Sequence, residues 1–157
     1  IIADLKKNND IDSLCKIAYE QNIKILINNA GIICPDLPFK EITNNIIENM
    51  IAVNLIAPIK IIKALSDNLD HVININSMVG LEARRNRTLY AASKWGLKGF
   101  SDSLKQEENS YNILDVYPTN IKTWPERKNA MDIDYVLKEI YQAMLEGKGN
   151  LILDGRK

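Results

Sequence analysis

Four short apolar runs limit what this chain can fold into: KILIN (Lys24–Asn28), HVININ (His71–Asn76), ILDVY (Ile113–Tyr117) and LILD (Leu151–Asp154). Each reads as a continuous apolar run and not as an alternation, the pattern of a strand buried on both faces. Ile1–Ala3 reads as the last part of a further buried strand. Between the runs the apolar period becomes helical. Ile11, Leu14, Cys15 and Ala18 recur at i, i+3, i+4 and i+7, with Asp10 as the expected N-cap. Thr43 is expected to cap a long helix reaching about Leu69, whose apolar face includes Ile46, Met50, Leu55 and Ile62, and which Pro58 should bend or loosen. A helix is expected from about Thr88 to Glu108, and Ile133, Val136, Leu137, Ile140, Tyr141 and Met144 mark another, ended by Gly147 and Gly149. Residues 35–40 form a loop with two prolines. Strands alternating with helices, each strand apolar throughout, imply a doubly wound α/β fold: a parallel sheet between two helical layers. Such folds bind ligands beyond the carboxyl ends of their strands. The segments placed there are Asn28–Gly31, Ser77–Gly80 and Pro118–Thr123.

Composition narrows the classes further. Twenty basic and twenty acidic residues give zero formal charge, against a broad nucleic-acid or acidic-membrane surface. No uninterrupted apolar run reaches membrane-spanning length, and the first ten residues do not form a signal peptide. Cys15 and Cys34 have no metal-ligand spacing, which suits a reducing, cytoplasmic setting. The length of 157 residues suits one domain.

YAASK (residues 90–94) places Tyr90 and Lys94 one helical turn apart on a shared face. Alone the pair is weak, because the chain holds six tyrosines and is rich in lysine. Its company is more specific. NNAG (Asn28–Gly31) follows one strand, Asn54 lies inside the long helix, Ser77 follows the next strand thirteen residues before Tyr90, and PTNIKT (Pro118–Thr123) follows the strand after that.

In this order and spacing the chain resembles the short-chain dehydrogenase/reductase family, from Asp4 to at least Thr123, and YAASKWGLKGFSDSLKQE is similar to that family's active-site helix. The resemblance implies a Rossmann-like fold, NAD or NADP as cofactor, and a small-molecule alcohol or carbonyl substrate. It implies Tyr90 as acid/base, Lys94 lowering the tyrosine pKa and holding the nicotinamide ribose, Ser77 orienting the substrate oxygen, and Asn54 supporting a water-linked proton relay. Asp4 and Leu5 match the segment that meets the adenine. Asn28, Ala30 and Gly31 match the turn along the adenosine ribose, and Ile121 and Thr123 the segment that holds the carboxamide. The chemistry is coherent: a phenol with pKa ~10 needs a neighbouring cation and a helix N-terminus to act as a base near neutrality. Each residue also has an ordinary role open to it. Asn54 can satisfy nearby backbone, Ser77 can cap a turn, and Asn28 and Gly31 can be turn residues.

Other residues stand outside this pattern. His71 begins a strand and reads as structural, and Trp95 reads as a packing residue. Cys34 follows NNAG closely and suits the site rim without being a catalytic thiol. Packing and lining the substrate mouth are both open to Trp124. Arg84, Arg85 and Arg87 stand between Ser77 and Tyr90, as a solvated basic loop or as contacts for an anionic substrate.

The family's glycine-rich turn, T-G-x-x-x-G-x-G, occurs nowhere in the 157 residues. The chain therefore reads as an N-terminally truncated piece, residues 1–157 forming one partial Rossmann-like NAD(P)-binding domain. In the doubly wound order two strands would separate Ile1–Ala3 from Lys24–Asn28 by about 14 Å, leaving an apolar edge. Such a piece is expected to be inactive alone. Noncatalytic dinucleotide-sensing or scaffolding relatives and nucleotide-sugar epimerases are the alternatives; intact Asn54, Ser77, Tyr90 and Lys94 weigh against the first, and NNAG with a compact C-terminal part against the second. A homodimer or homotetramer built on helices 43–69 and 88–108 is the implied assembly.

Overall fold

The computed structural model describes residues 1–34, 36–107, 110–123 and 126–156, and the expectations for Pro35, Glu108 and Trp124 lie outside them. Four parallel strands form one sheet in chain order: β1 (Ile25–Asn28), β2 (His71–Ile75), β3 (Asn112–Pro118) and β4 (Asn150–Leu153). Each of the first three strands feeds a helical connection to the next, as parallel pairing requires. The helices are α1 (Asn8–Glu20), α2 (Asn44–Ile51), α3 (Ala57–Leu65), α4 (Thr88–Leu104) and α5 (Ile133–Leu145).

Both faces of the sheet are covered. On one, Ile11 and Cys15 of α1 and Ile61, Ile62 and Leu65 of α3 pack with Val72 and Ile113. On the other, Val136 and Ala143 of α5 pack on Ile73, Leu114, Val116 and Leu153. A third cluster joins α2 to α4 through Met50, Leu89 and Cys34. The three-layer α/β/α arrangement inferred from the apolar runs is the one observed.

The long helix is continuous in course but changes its winding. Thr43 caps it, its side chain accepting from Ile46 N at 3.3 Å. Residues Ala52–Ile56 then form a π-turn, with Ala57 N donating to Ala52 O. Pro58 has no N–H for the carbonyl of Asn54, and the wider turn absorbs that loss. The segment Asn44–Leu65 is long and apolar enough, by length and composition, to span a membrane. Here Met50, Ala57, Ile61, Ile62 and Leu65 are buried in the domain core instead.

Several boundaries differ from the sequence reading. Ile1–Ala3 is not a strand, and Ile1 and Ile2 are exposed. Among the described residues nothing pairs with the outer edge of β1, and a strand cannot form without a partner. Ile25 and Ile27 are correspondingly exposed. Asp10 is not the N-cap of α1; Lys7 holds that position, and the Asp10 carboxylate, inside the first turn, accepts from Asp4 N at 2.8 Å. The long helix ends at Leu65, and Leu69 is buried beyond it. Helix α4 ends at Leu104, where Lys105 turns inward to the buried Asp115 carboxylate at 2.6 Å. Helix α5 closes as expected at Gly147, which has φ +66°, while Gly147 N reaches Met144 O and Lys148 N reaches Ala143 O. Exposed large apolar side chains gather on α5 (Ile133, Tyr135, Leu137, Tyr141, Leu145) and on β4 (Ile152); the two helices named for assembly expose only Ile56 and Trp95 among the described residues.

Candidate active site

The site forms where β2 ends and α4 begins. Asn76, buried just past β2, binds in two directions: its Oδ1 accepts from Ser77 N at 2.9 Å and its Nδ2 donates to Lys94 O at 3.2 Å. That asparagine joins the strand end carrying Ser77 to the helix carrying Lys94. Ser77 Oγ accepts from Val79 N at 3.2 Å and caps the short turn Met78–Gly80. Trp95 is half exposed, and its indole N–H donates to Val79 O at 2.9 Å, anchoring the same turn. Gly80 must lack a side chain, because a Cβ there would stand 2.6 Å from Asn76 Oδ1.

Tyr90 and Lys94 then face Ser77 from α4. Ser77 and Tyr90 line the same cleft, and the Ser77 side chain acts to lower the Tyr90 phenol. Lys94 is 5% exposed. Its Nζ donates to Ile75 O at 2.8 Å and lies 5.8 Å from the Tyr90 ring centroid. Burial pushes the Tyr90 phenol above its ordinary value, partly offset by the Ser77 hydrogen bond and the Arg87 charge. Burial also lowers the Lys94 ammonium to about 8. The cation acting on the phenol is Arg87, while Lys94, itself destabilised by burial, is turned to a backbone carbonyl.

Beyond the strand ends these residues line a cleft of about 530 Å³. Ser77, Tyr90 and Lys94 share it with Gly31, Ile121 and Thr123. Its remaining lining includes Asn29, Arg84, Arg87, Arg127 and Arg156.

Five of the expected catalytic and cofactor-binding residues, and Cys34, do not line it. Asn54 is buried in the π-turn, its Oδ1 accepting from Ile32 N at 2.7 Å and its Nδ2 donating to Ile32 O at 2.8 Å and Ser93 Oγ at 3.2 Å. Its side chain thus clamps the segment after NNAG to α4. Asn28 Nδ2 donates to Asn74 Oδ1 at 2.8 Å, and Asn74 Nδ2 continues to Ser101 Oγ and Asp115 Oδ1. Ala30 lies beside these turns without lining the cleft. Asp4 accepts from Lys6 N at 3.1 Å, and Leu5 packs against the cluster of α1 and α3. Cys34 is buried against Met50 and Leu89, away from the cleft lining. Asn76, Arg127 and Arg156 were not anticipated. A polar residue next to a strand-end serine was the available signal for the first; the two arginines come from distant sequence and carried none.

The donor set suits the nicotinamide-ribose half of a dinucleotide. Lys94 Nζ has three N–H donors and spends one on Ile75 O. Gly31 shares the cleft lining with it, and the cleft lies beyond the carboxyl ends of parallel strands. A family model described as short chain dehydrogenase matches residues 1–132.

This chain belongs to the short-chain dehydrogenase family. Nodulation protein G of Rhizobium sp. (strain N33) is 33% identical over 118 residues, which are 71% of this chain and 48% of that protein. The 3-oxoacyl-[acyl-carrier-protein] reductase of Buchnera aphidicola is 33% identical over 133 residues, 78% of this chain and 53% of its own length. Among solved structures, the bulky-bulky ketone specific alcohol dehydrogenase from Comamonas testosteroni superposes with a TM-score of 0.86 at 25% identity, over 97% of this chain and 64% of that one. This short-chain dehydrogenase chain spans about half the length of the curated relatives it matches.

Proposed function

We propose that the complete protein interconverts a secondary alcohol and a carbonyl, with Tyr90 as acid/base. The observation carrying this is the Tyr90 phenol, in one cleft with Ser77, Gly31 and Thr123 and one helical turn from buried Lys94, whose Nζ lies 5.8 Å from its ring centroid. The cofactor is NAD or NADP, whose nicotinamide supplies or accepts the hydride. Lys94 would hold its ribose hydroxyls, with Ile121 and Thr123 at its carboxamide and Asn28, Ala30 and Gly31 along the adenosine side.

In the reducing direction Tyr90 donates the proton. A phenol held above its ordinary pKa is fully protonated near neutrality and ready for that step. Val79 N–H occupies one Ser77 lone pair, and the single Ser77 O–H, which acts on the phenol in this structure, would turn to donate to the substrate oxygen. In the oxidising direction the phenolate must form, and Arg87 supplies the positive potential that acts on it, with Lys94 Nζ 5.8 Å from the ring centroid. Asn54 contributes by fixing the segment at Ile32 to α4, and a proton relay would run past its turn toward Lys94.

Tyr90→Phe in the complete protein tests this. Positioned proton transfer contributes about 10²–10⁴-fold, so turnover should fall by about a hundredfold or more while NAD(P)H binding persists. Turnover within about tenfold of wild type would overturn the assignment. Residues 1–157 alone, without a glycine-rich pyrophosphate turn, should bind NAD(P)H poorly and be inactive, and normal turnover by them would contradict that. A cytoplasmic homodimer or homotetramer of the complete protein is the accompanying expectation, tested by sedimentation.

A further inference from the structure

The cleft has an electrostatic character that the alcohol–carbonyl chemistry does not require. Five cationic side chains line it: Arg84, Arg87, Lys94, Arg127 and Arg156, and no aspartate or glutamate does so among the described residues. The carboxylates nearby are already engaged with the outer arginines. Glu82 receives both Arg156 Nη atoms, at 3.1 and 3.3 Å, and Asp154 receives Arg156 at 2.7 Å. Asp36 pairs with Arg87. Arg127 is held by Ile121 O and Asn120 Oδ1, at 3.1 and 3.2 Å. Arg84 differs from these. Its nearest carboxylate oxygen, on Glu82, is 3.8 Å away, and that carboxylate is shared with Arg156. Among the described residues the Arg84 guanidinium makes no hydrogen bond. A planar fork of donors left open over a cleft matches an oxyanion. Arg87, three residues before Tyr90, already acts electrostatically on the phenol, so positive potential reaches the reacting position itself.

We propose that the substrate carries an oxyanion, a carboxylate or a phosphate ester on a small molecule, held by Arg84 with support from Arg87 while its carbonyl or hydroxyl carbon faces Ser77 and Tyr90. This rests on the proposed oxidoreductase reading of the site. Arg84 is then a specificity-determining residue: it selects the anion and leaves the proton transfer to Tyr90. Arg85, exposed and not lining the cleft, is the internal control.

The test uses the complete protein, NADPH or NADH, and a panel of small oxo acids, 4-oxopentanoate among them, each paired with its methyl ester, plus hydroxyacetone phosphate paired with hydroxyacetone. Binding is measured by calorimetry on the Tyr90→Phe protein, where turnover does not intrude, and kcat/KM on wild type. An anion should bind about tenfold or more tighter than its neutral partner, and Arg84→Gln should erase that margin while Arg85→Gln retains it. Preference for an oxo acid assigns a carboxylate, preference for the phosphate a phosphate ester. The proposal is overturned if no anion on the panel binds better than its neutral partner or if the margin survives Arg84→Gln. It is equally overturned if Arg84→Gln weakens NAD(P)H by the same factor, which would assign the guanidinium to a cofactor phosphate. Anion selectivity in calorimetry without turnover by wild type would instead refute the oxidoreductase reading and leave the anion site standing.

Discussion

Lys94 provides the most direct physical test of the site. Its ammonium is buried with one backbone carbonyl as hydrogen-bond partner, and burial lowers its pKa from 10.5 to about 8. In the unfolded chain it returns to its ordinary value. Between about pH 8 and 10.5 the unfolded state therefore binds more protons than the folded one, and stability rises with pH across that window. Below about pH 8 the full cost of burying the charge is present. At ~1.36 kcal/mol per pH unit the displacement amounts to about 3 kcal/mol. Lys94→Met keeps most of the apolar stem and removes the charge, so it removes this pH dependence. Urea unfolding of both proteins from pH 7.5 to 10.5, taken as wild type minus variant, should show wild type gaining about 3 kcal/mol. Referring wild type to the variant cancels the other lysines and the tyrosines. A flat difference, or wild type losing ground as pH rises, would refute the reasoning, because it would mean the folded site holds the ammonium at least as well as water does.

Other perturbations follow from named contacts. Asn54→Ala leaves Ile32 N–H and Ile32 C=O without their partner and takes one of two partners from Ser93 Oγ, which keeps Tyr90 O, so about 2 kcal/mol or more should be lost in urea unfolding; a loss under about 1 kcal/mol would deny the clamp. Gly80→Ala forces Asn76 from its place, and in the complete protein should lower kcat by about tenfold or more while changing NAD(P)H affinity less, since Asn76 sets Ser77 against Lys94. Lys105→Met strands the buried Asp115 carboxylate and should cost about 3–5 kcal/mol, with Asp115→Leu added to it recovering part of the loss. Tyr90 carries the opposite pH sign to Lys94: its folded phenol stays protonated while the unfolded one ionises, so wild type should lose stability relative to Tyr90→Phe above about pH 10.

Local pattern made the layers legible. Runs such as ILDVY, apolar on both sides of a single Asp115, are buried between two helical layers, and the sheet places Val116 and Leu114 against α5 while Ile113 faces α1 and α3. Thr43 and Gly147 were readable for the same reason: a cap and a left-handed stop act within one turn of their own residues. Ser77, Tyr90, Lys94 and Thr123 were readable because chain order in a parallel sheet maps directly onto the edge where strands end. Ile1–Ala3 was misread because strand propensity says nothing of whether a partner stands alongside, and here none does among the described residues.

What could not be read depended on contacts between distant segments. Asp10 looked like a cap by its position, yet its carboxylate is taken by Asp4 N, which draws the helix start back to Asn8. The role of Asn54 turned on Ile32, twenty-two residues earlier, and on the π-turn that aims the asparagine at it. The electrostatic balance of the pair was hidden most deeply. One helical turn between Tyr90 and Lys94 suggests a cation lowering a phenol, but spacing carries no information about burial, and burial moves the two groups in opposite directions, the phenol upward and the ammonium downward. Both shifts favour the uncharged forms. The phenolate therefore needs further positive potential, and the ammonium further hydrogen-bond acceptors, in the cleft. The arginines lining it, brought in from residues 84 to 156, are the chain's own source of the first, and the unspent Lys94 N–H groups offer a place for the second.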